Sequence, residues 1–250
     1  MHVGFRICGI AYQDALRSAK KLGFVDLEPE WSPKLAEGYP AMAKMARKMG
    51  IGLSAVLTGA DPMSVADFKQ AFRDCNTIGA TSFTAHPHPI KPDDAGAQAE
   101  FQDRFGAAAE LGRKAGVKLA LHSCGLGPEQ WDLMFRLVPQ LSLKYDPSFS
   151  AQAGRNYAAE IFKYGARIVH VHAKDEIPLD RTTDYGSGII PMTYAPAGMG
   201  QINWGSVIAA LYEVGYDGQI AIEAHSHYWC TAGYERGLIL AKRHLEQFLA

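Results

Sequence analysis

Short apolar runs alternate with longer stretches of helical period from one end of the sequence to the other. The runs have the length of strands and lie at residues 2–8, 24–28, 51–57, 80–86, 117–122, 141–146, 167–174 and 219–225. In the stretch between the fourth and fifth runs, apolar or small residues recur three and four positions apart on one helix face, at Phe101, Phe105, Ala108 and Leu111. A strand followed by a helix is the βα unit, and its repetition predicts a parallel sheet.

Glycines mark the ends of several helical stretches. Gly23, Gly79, Gly116 and Gly215 each lie shortly before the next apolar run. A left-handed C-terminal cap belongs at such a position, and only glycine adopts that conformation at little cost. Eight βα units in 250 residues close a barrel more naturally than they fill an open sheet. Because the first strand-to-helix loops also lack the GxGxxG pattern of dinucleotide-binding folds, we predict a single (β/α)8 TIM barrel over residues 1–250.

Charge and hydropathy narrow the classes of partner. The formal net charge is -1, and Lys and Arg are scattered along the chain. Nucleic-acid binding needs a basic patch that displaces counterions, so we expect no nucleic-acid partner. We expect no membrane partner, because no window contains the ~20 apolar residues of a membrane span. The N-terminus lacks a basic segment followed by a long apolar one, so we expect no signal peptide and a cytoplasmic location.

One long stretch, residues 175–203, shows neither the helical period nor the alternation of a strand. It contains four glycines and three prolines. A loop of that length in a compact barrel is usually functional, so we predict a lid or substrate loop.

The last positions of the apolar runs carry imidazole and carboxylate groups. The carboxyl ends of barrel strands converge on one mouth, so residues that are distant in sequence meet there. A single His or Asp at a strand end is often a helix cap or a satisfied polar group. Here, however, each of the last four runs carries a His, Asp or Glu near its end. We predict that four residues hold a divalent metal, namely His122, Asp146, His172 and Glu223. Their mixed nitrogen and oxygen donors suit Mn, Co, Zn, Fe or Ni better than Ca or a purely oxygen-bound Mg.

Other histidines lie near the same ends. We expect at most one of His86 and His88 to face the mouth. His170 and His172 share a face, so one can bind metal while the other packs deeper in the barrel. His225 ends the last run and is either a rim residue that contacts substrate or part of a solvated loop.

Several segments resemble one known family. YDPSF at 145–149 resembles a D-P-S-H turn, and RIVHVHAKD at 167–175 resembles a strand that ends in H-x-K-D. Residues 196–225 are similar to a run of G-x-G-x-[IV]-[DN]-W, G-Y-D-G and I-E, and GFVDLEPE at 23–30 to a second strand that ends in Glu. This family comprises the sugar isomerases and epimerases with a xylose isomerase-like barrel, and it also contains the type-II apurinic endonucleases.

The resemblance implies a metal held by Glu, Asp, His and Glu on strands five to eight. Asp146, His172 and Glu223 match, whereas His122 stands where the family has Glu and Phe149 where it has His. It also implies proton abstraction next to a carbonyl through a metal-stabilised enediolate, with Glu223 or His122 as the base. The residues expected to bind the substrate are Glu28, His86, Lys174 and His225.

The expected activity is that of a metal-dependent sugar isomerase or epimerase. Mn is the favoured metal among Mn, Co, Zn, Fe and Mg, the substrate is a small sugar or keto-sugar, and the protein is a homo-oligomer of two or four chains. The departures at His122 and Phe149 keep open a lyase, dehydratase or glycoside-cleaving enzyme that uses the same enolate. Cleavage of abasic DNA needs a three-metal cluster and a basic face, which the charge disfavours. The non-catalytic alternative is a barrel that binds a sugar or a partner subunit without turnover.

Overall fold

The strands form a parallel sheet that curls into a nearly closed barrel, with helices between them. The structure is a computed structural model that describes residues 1–59, 62–178, 192–223 and 226–249. In chain order, the strands are β1 (His2–Arg6), β2 (Leu27–Glu28), β3 (Glu30–Trp31), β4 (Ala55–Thr58), β5 (Ser82–Ala85), β6 (Lys118–His122), β7 (Ser142–Tyr145), β8 (Ile168–Ala173), β9 (Asp175–Pro178), β10 (Met192–Ala195) and β11 (Gln219–Ile222).

The barrel closes through a strand that proline divides in two. The order of strands around the sheet is β2-β1-β11-β8-β7-β6-β5-β4-β3. Its two ends, β2 and β3, are separated only by Pro29, which has no N–H to donate to a ladder. β2 pairs with β1, and β3 pairs with β4. The predicted TIM barrel is therefore confirmed, with the second predicted strand present as two short halves.

The helices lie between successive strands in sequence, as the repeated βα pattern predicted. They are α1 (Tyr12–Leu22), α2 (Tyr39–Met49), α3 (Val65–Ile78), α4 (Ala95–Ala115), α5 (Pro128–Leu137), α6 (Pro147–Gln152), α7 (Tyr157–Tyr164), α8 (Trp204–Glu213), α9 (His227–Cys230) and α10 (Tyr234–Glu246). The four glycines predicted to cap helices all have a positive φ, between 71° and 82°. None of the helices in the described ranges is long and apolar enough to cross a membrane.

The stretch predicted to be irregular, residues 175–203, contains regular structure in its described parts. β9 and β10 pair antiparallel, with Asp175 opposite Ala195. The buried Asp175 carboxylate accepts hydrogen bonds from the N–H groups of Gly198 and Ile202 and from the indole of Trp204. One carboxylate thus ties the ribbon to the start of α8, so the prediction of an unbroken irregular loop is wrong here. Residues 179–191 lie outside the described ranges, and a lid at this position stays a prediction.

Candidate functional site

The register of the parallel strands brings an imidazole and two carboxylates together. His172 near the end of β8 is paired with Ala221 in β11, two residues before Glu223. Asp146 directly follows β7 and caps α6, with its Oδ1 accepting hydrogen bonds from the N–H and the hydroxyl of Ser148. Asp146 and His172 are fully buried and Glu223 is 2% exposed. We call these three residues the Asp146–His172–Glu223 trio.

The trio has the donors that a divalent metal requires. One donor atom from each residue lies within 4.8 Å of those of the other two. His172 Nδ1 is 3.2 Å from Glu223 Oε2. Asp146 Oδ2 is buried without a well-aligned hydrogen bond, although Lys174 Nζ is 3.0 Å away. Because two carboxylates and an imidazole are a common ligand set for Zn and related ions, the residues fit a metal.

Glu28 sets the orientation of the His172 ring. Its Oε2 lies 2.5 Å from His172 Nε2, and its Oε1 lies 3.1 Å from His170 Nε2. An ionised carboxylate only accepts hydrogen bonds, so His172 Nε2 carries the hydrogen and the lone pair is left on Nδ1, towards Glu223. Burial opposes ionisation of Glu28, but His172 and His170 together hold its pKa well below the usual range. This carboxylate–imidazole pair is the arrangement that usually supports a metal-binding histidine.

His122 has both ring nitrogens engaged. Its Nδ1 accepts a hydrogen bond from the N–H of Cys124 at 2.8 Å, and its Nε2 lies 2.8 Å from Lys144 Nζ. Burial, followed by the charge on Lys144, lowers the pKa of His122 well below its ordinary value, so the ring is neutral. It stacks on His86 with the ring centres 4.6 Å apart. In this arrangement His122 turns no free lone pair towards the trio, and its predicted role as a metal ligand stays a prediction.

Lys144 is a central residue of the cluster that the sequence reasoning missed. It lies opposite His122 in the β6–β7 register and is fully buried. Its Nζ is 2.6 Å from His172 Nδ1. Burial lowers the pKa of Lys144 to about 8, although Glu223 and Asp146 favour its charged form. Strand alternation could have found it, because a residue two positions before Asp146 faces the same side.

Lys174 and Arg6 supply positive charge around the two carboxylates. Lys174 Nζ lies 3.0 Å from Asp146 Oδ2 and 3.2 Å from Glu223 Oε2, and these carboxylates raise its pKa in spite of burial. The same ammonium group lies 4.2 Å from the centre of the Phe149 ring. Arg6, which the sequence reasoning also missed, donates to Glu223 Oε1 through one guanidinium nitrogen and to Glu30 through the other. A buried, charge-compensated cluster results.

The other residues predicted to contact substrate lie in different surroundings. Glu28 was predicted to bind substrate, but it is fully buried and faces the two histidines inside the barrel. His86 is partly buried beside His122, while His88 is exposed; both follow the end of β5, so strand alternation does not apply to them. His225 lies outside the described residues.

A cavity of about 390 Å³ opens at the same end of the barrel. The segments that follow β1 and β3, including the starts of α1 and α2, line it with mostly apolar residues, among them Ile7, Tyr12, Leu35 and Met42. Glu30 also lines the cavity and is 3.1 Å from Arg6 Nη2. The cavity is therefore connected to Glu223 through the Glu30–Arg6 ion pair.

Comparisons with known proteins agree with this architecture. A family model described as xylose isomerase-like TIM barrel matches residues 16–246. No curated protein matches the sequence.

Three solved structures illustrate the likeness of fold. A xylose isomerase domain protein from Planctomyces limnophilus is 15% identical with a TM-score of 0.84, covering 99% of this chain and 98% of its own. The IolI protein with a bound zinc atom is 18% identical with a TM-score of 0.79, and all of both chains is covered. A D-allulose 3-epimerase from Methylomonas sp. is 13% identical with a TM-score of 0.76, covering 100% of this chain and 98% of its own.

Proposed function

Since the chain belongs to the xylose isomerase-like TIM-barrel family, we propose that it is a divalent-metal-dependent isomerase or epimerase of sugars. The observation that carries this proposal is the Asp146–His172–Glu223 trio, whose donor atoms converge at the carboxyl end of the barrel. The zinc atom in the similar IolI structure and the epimerase activity named for the Methylomonas protein support it.

The trio would hold the metal, and Glu28 would keep the His172 lone pair directed at it. When bound, the metal would polarise a substrate carbonyl and stabilise the negative charge that develops as the neighbouring carbon loses a proton. Lys174 would remain close to both trio carboxylates, balance their charge and donate a hydrogen bond to a substrate oxygen. His86 would contact the substrate at the wall of the site.

Proton abstraction falls to Glu223 or His122. Glu223 is oriented by Arg6 through Oε1, and its Oε2 faces the interior of the cluster. Burial lowers the pKa of His122, the other predicted base, and keeps it neutral. To accept a proton it would have to give up the contact of Nδ1 with Cys124 or of Nε2 with Lys144. Single variants identify the base when bound metal is measured beside the exchange rate, because Glu223→Gln removes a proposed metal ligand as well as a candidate base.

The test is solvent exchange. The metal-loaded protein is incubated in D2O with a panel of aldoses and keto-sugars, and deuterium at the carbon next to the carbonyl is measured by NMR. We expect metal-dependent exchange that Glu223→Gln abolishes. A matched control is Glu235→Gln, which alters a surface carboxylate paired with Lys21. Absence of metal-dependent exchange with every sugar of the panel would refute the proposal.

A lyase remains the second candidate because of one observation at the wall of the site. The ring of Phe149 lies 5.7 Å from the His122 ring and 4.2 Å from Lys174 Nζ, so an apolar group stands beside a buried ammonium group. An ammonium group in such a place can protonate a leaving oxygen once the enolate has formed. Mass spectrometry of the product distinguishes the two reactions, since isomerisation conserves the mass of the sugar and elimination does not.

The finer predictions from the sequence complete the proposal. We propose Mn as the metal, a homo-oligomer of two or four chains, and a cytoplasmic location. Metal analysis of the purified protein tests the first, light scattering after size exclusion tests the second, and fractionation of cells tests the third.

A further inference from the structure

Lys144 Nζ contacts the His172 nitrogen that faces the trio, at 2.6 Å from Nδ1. We propose that Lys144 is an internal competitor for the metal, because its amine occupies the single lone pair of His172 through which a metal would bind. Metal binding would then be an exchange in which the amine leaves His172 as the ion enters. This inference rests on the metal site of the proposed function and concerns how that site is filled.

The distances make the two occupants mutually exclusive. Lys144 Nζ is 2.6 Å from His172 Nδ1. A zinc ion bound to an imidazole nitrogen lies at about 2.0–2.1 Å from it. An imidazole nitrogen has one lone pair, and the opposite nitrogen of this ring donates to Glu28. The ring therefore has no second position at which to receive a metal while the amine stays.

Lys174 behaves differently although it is equally close to the trio. It lies 3.0 Å from Asp146 Oδ2 and 3.2 Å from Glu223 Oε2, and both partners are carboxylates. The two oxygens of a carboxylate have about four acceptor positions, so each carboxylate can bind a metal and still accept a hydrogen bond. Of these two lysines, only Lys144 is incompatible with the metal in its present position.

The surroundings of Lys144 favour this position when no metal is bound. The side chain is fully buried, and His122 Nε2 lies 2.8 Å from the same Nζ. A buried amine without partners would be costly, and here the two imidazoles provide them. The amine in turn satisfies His172 Nδ1, which would otherwise be a buried acceptor facing the Glu223 carboxylate at 3.2 Å. Removing the amine should therefore open the site to metal.

The experiment compares metal affinity among variants of the full chain. Metal-stripped wild type, Lys144→Met, Lys174→Met and Lys118→Met are titrated with zinc chloride and with cobalt chloride by calorimetry. We expect Lys144→Met to bind both ions at least about tenfold more tightly than wild type. Lys174→Met removes one positive charge from the same cluster but leaves His172 occupied, so its gain should be smaller. Lys118→Met changes an exposed lysine on the neighbouring strand and should bind as wild type does.

Two results would overturn the inference. One is an affinity of Lys144→Met equal to or weaker than that of wild type, including the case in which neither binds metal. The other is a gain in Lys174→Met that equals or exceeds that in Lys144→Met, because charge alone would then account for it. If the methionine variant does not fold by circular dichroism, Lys144→Gln takes its place with the same expected direction.

The outcomes separate this inference from the proposed function. Tight metal binding by Lys144→Met but none by wild type would support competition between Lys144 and the metal. It would also contradict metal dependence of the natural protein. Metal-dependent deuterium exchange into a sugar by wild type, together with unchanged metal affinity in Lys144→Met, would support the proposed function. It would refute competition between Lys144 and the metal.

Discussion

Replacing Glu28 with Gln should weaken metal binding without changing any residue of the trio. The Glu28 carboxylate is fully buried and lies 2.5 Å from His172 Nε2 and 3.1 Å from His170 Nε2. Gln has the same shape but no charge, and its amide nitrogen donates rather than accepts. The His172 Nε2–H then faces either an amide donor or an uncharged carbonyl oxygen, so its hydrogen bond is lost or weakened, and the ring can turn or change tautomer.

The size of the effect follows from the bond that is lost. A hydrogen bond to a charged group contributes about 1.5–3 kcal/mol net, of which Gln restores only part. A loss of about 1.4–2.7 kcal/mol at His172 corresponds to about 10–100-fold weaker metal binding, since 1.4 kcal/mol is a factor of ten. The same range is typical when the carboxylate behind a metal-binding histidine is removed.

Calorimetric titration with zinc chloride measures this effect directly. The matched control is Asp74→Asn, which neutralises another buried carboxylate, one that accepts from the Trp31 indole at 2.9 Å and lies outside the site. We expect Asp74→Asn to bind zinc as wild type does. A folded Glu28→Gln variant whose zinc affinity stays within about twofold of wild type would contradict the orienting role derived for Glu28.

Other perturbations have outcomes that follow from single contacts. Asp175→Ala leaves four donors of the ribbon and α8 without their shared acceptor, so urea denaturation should show a loss of about 3 kcal/mol. Gly200→Ala should cost roughly 1–3 kcal/mol in the same assay, because the new Cβ would lie 2.3 Å from Asp175 Oδ1. Arg6→Met removes the group that orients Glu223, so deuterium exchange into a substrate sugar should slow by roughly tenfold or more while the fold persists by circular dichroism. The pKa of Glu28 is depressed below 4.5, so its stabilising effect is complete above that pH and is lost as the pH falls through the folded value. The difference in unfolding free energy between wild type and Glu28→Gln should therefore shrink as the pH is lowered below about 5.

The sequence was sufficient for the fold and for placing the three residues of the trio at one end of the barrel. Hydrophobic period and helix-ending glycines depend on neighbouring residues only, so they can be read without a partner strand. Asp146, His172 and Glu223 follow apolar runs, and the closure of a parallel barrel brings all strand ends to one mouth. The structure places these three together, as that reasoning expected.

The sequence was insufficient where a residue's role depends on which side chain lies opposite it. Glu28 was expected to face the substrate, but barrel closure places it beside His170 and His172, more than 140 positions away in sequence. Lys144 and Arg6 are in apolar strands and attracted no prediction, yet they contact His172 and Glu223. Asp175 was assigned to an irregular loop from the glycines and prolines around it. Its four hydrogen-bond donors come from three separate segments, so only the structure shows them.

The sequence by itself thus determined the barrel, the end at which the polar groups collect, and the residue types available for a metal. Only the tertiary structure decided their partners: that Glu28 binds the His172 ring from behind, and that Lys144 occupies its remaining lone pair. The physical reason is that the hydrophobic period of a sequence shows only which face of its strand or helix a side chain lies on. The pairing of hydrogen-bond donors with acceptors is set by the register between neighbouring strands and by the closure of the barrel, and the sequence of one strand contains neither.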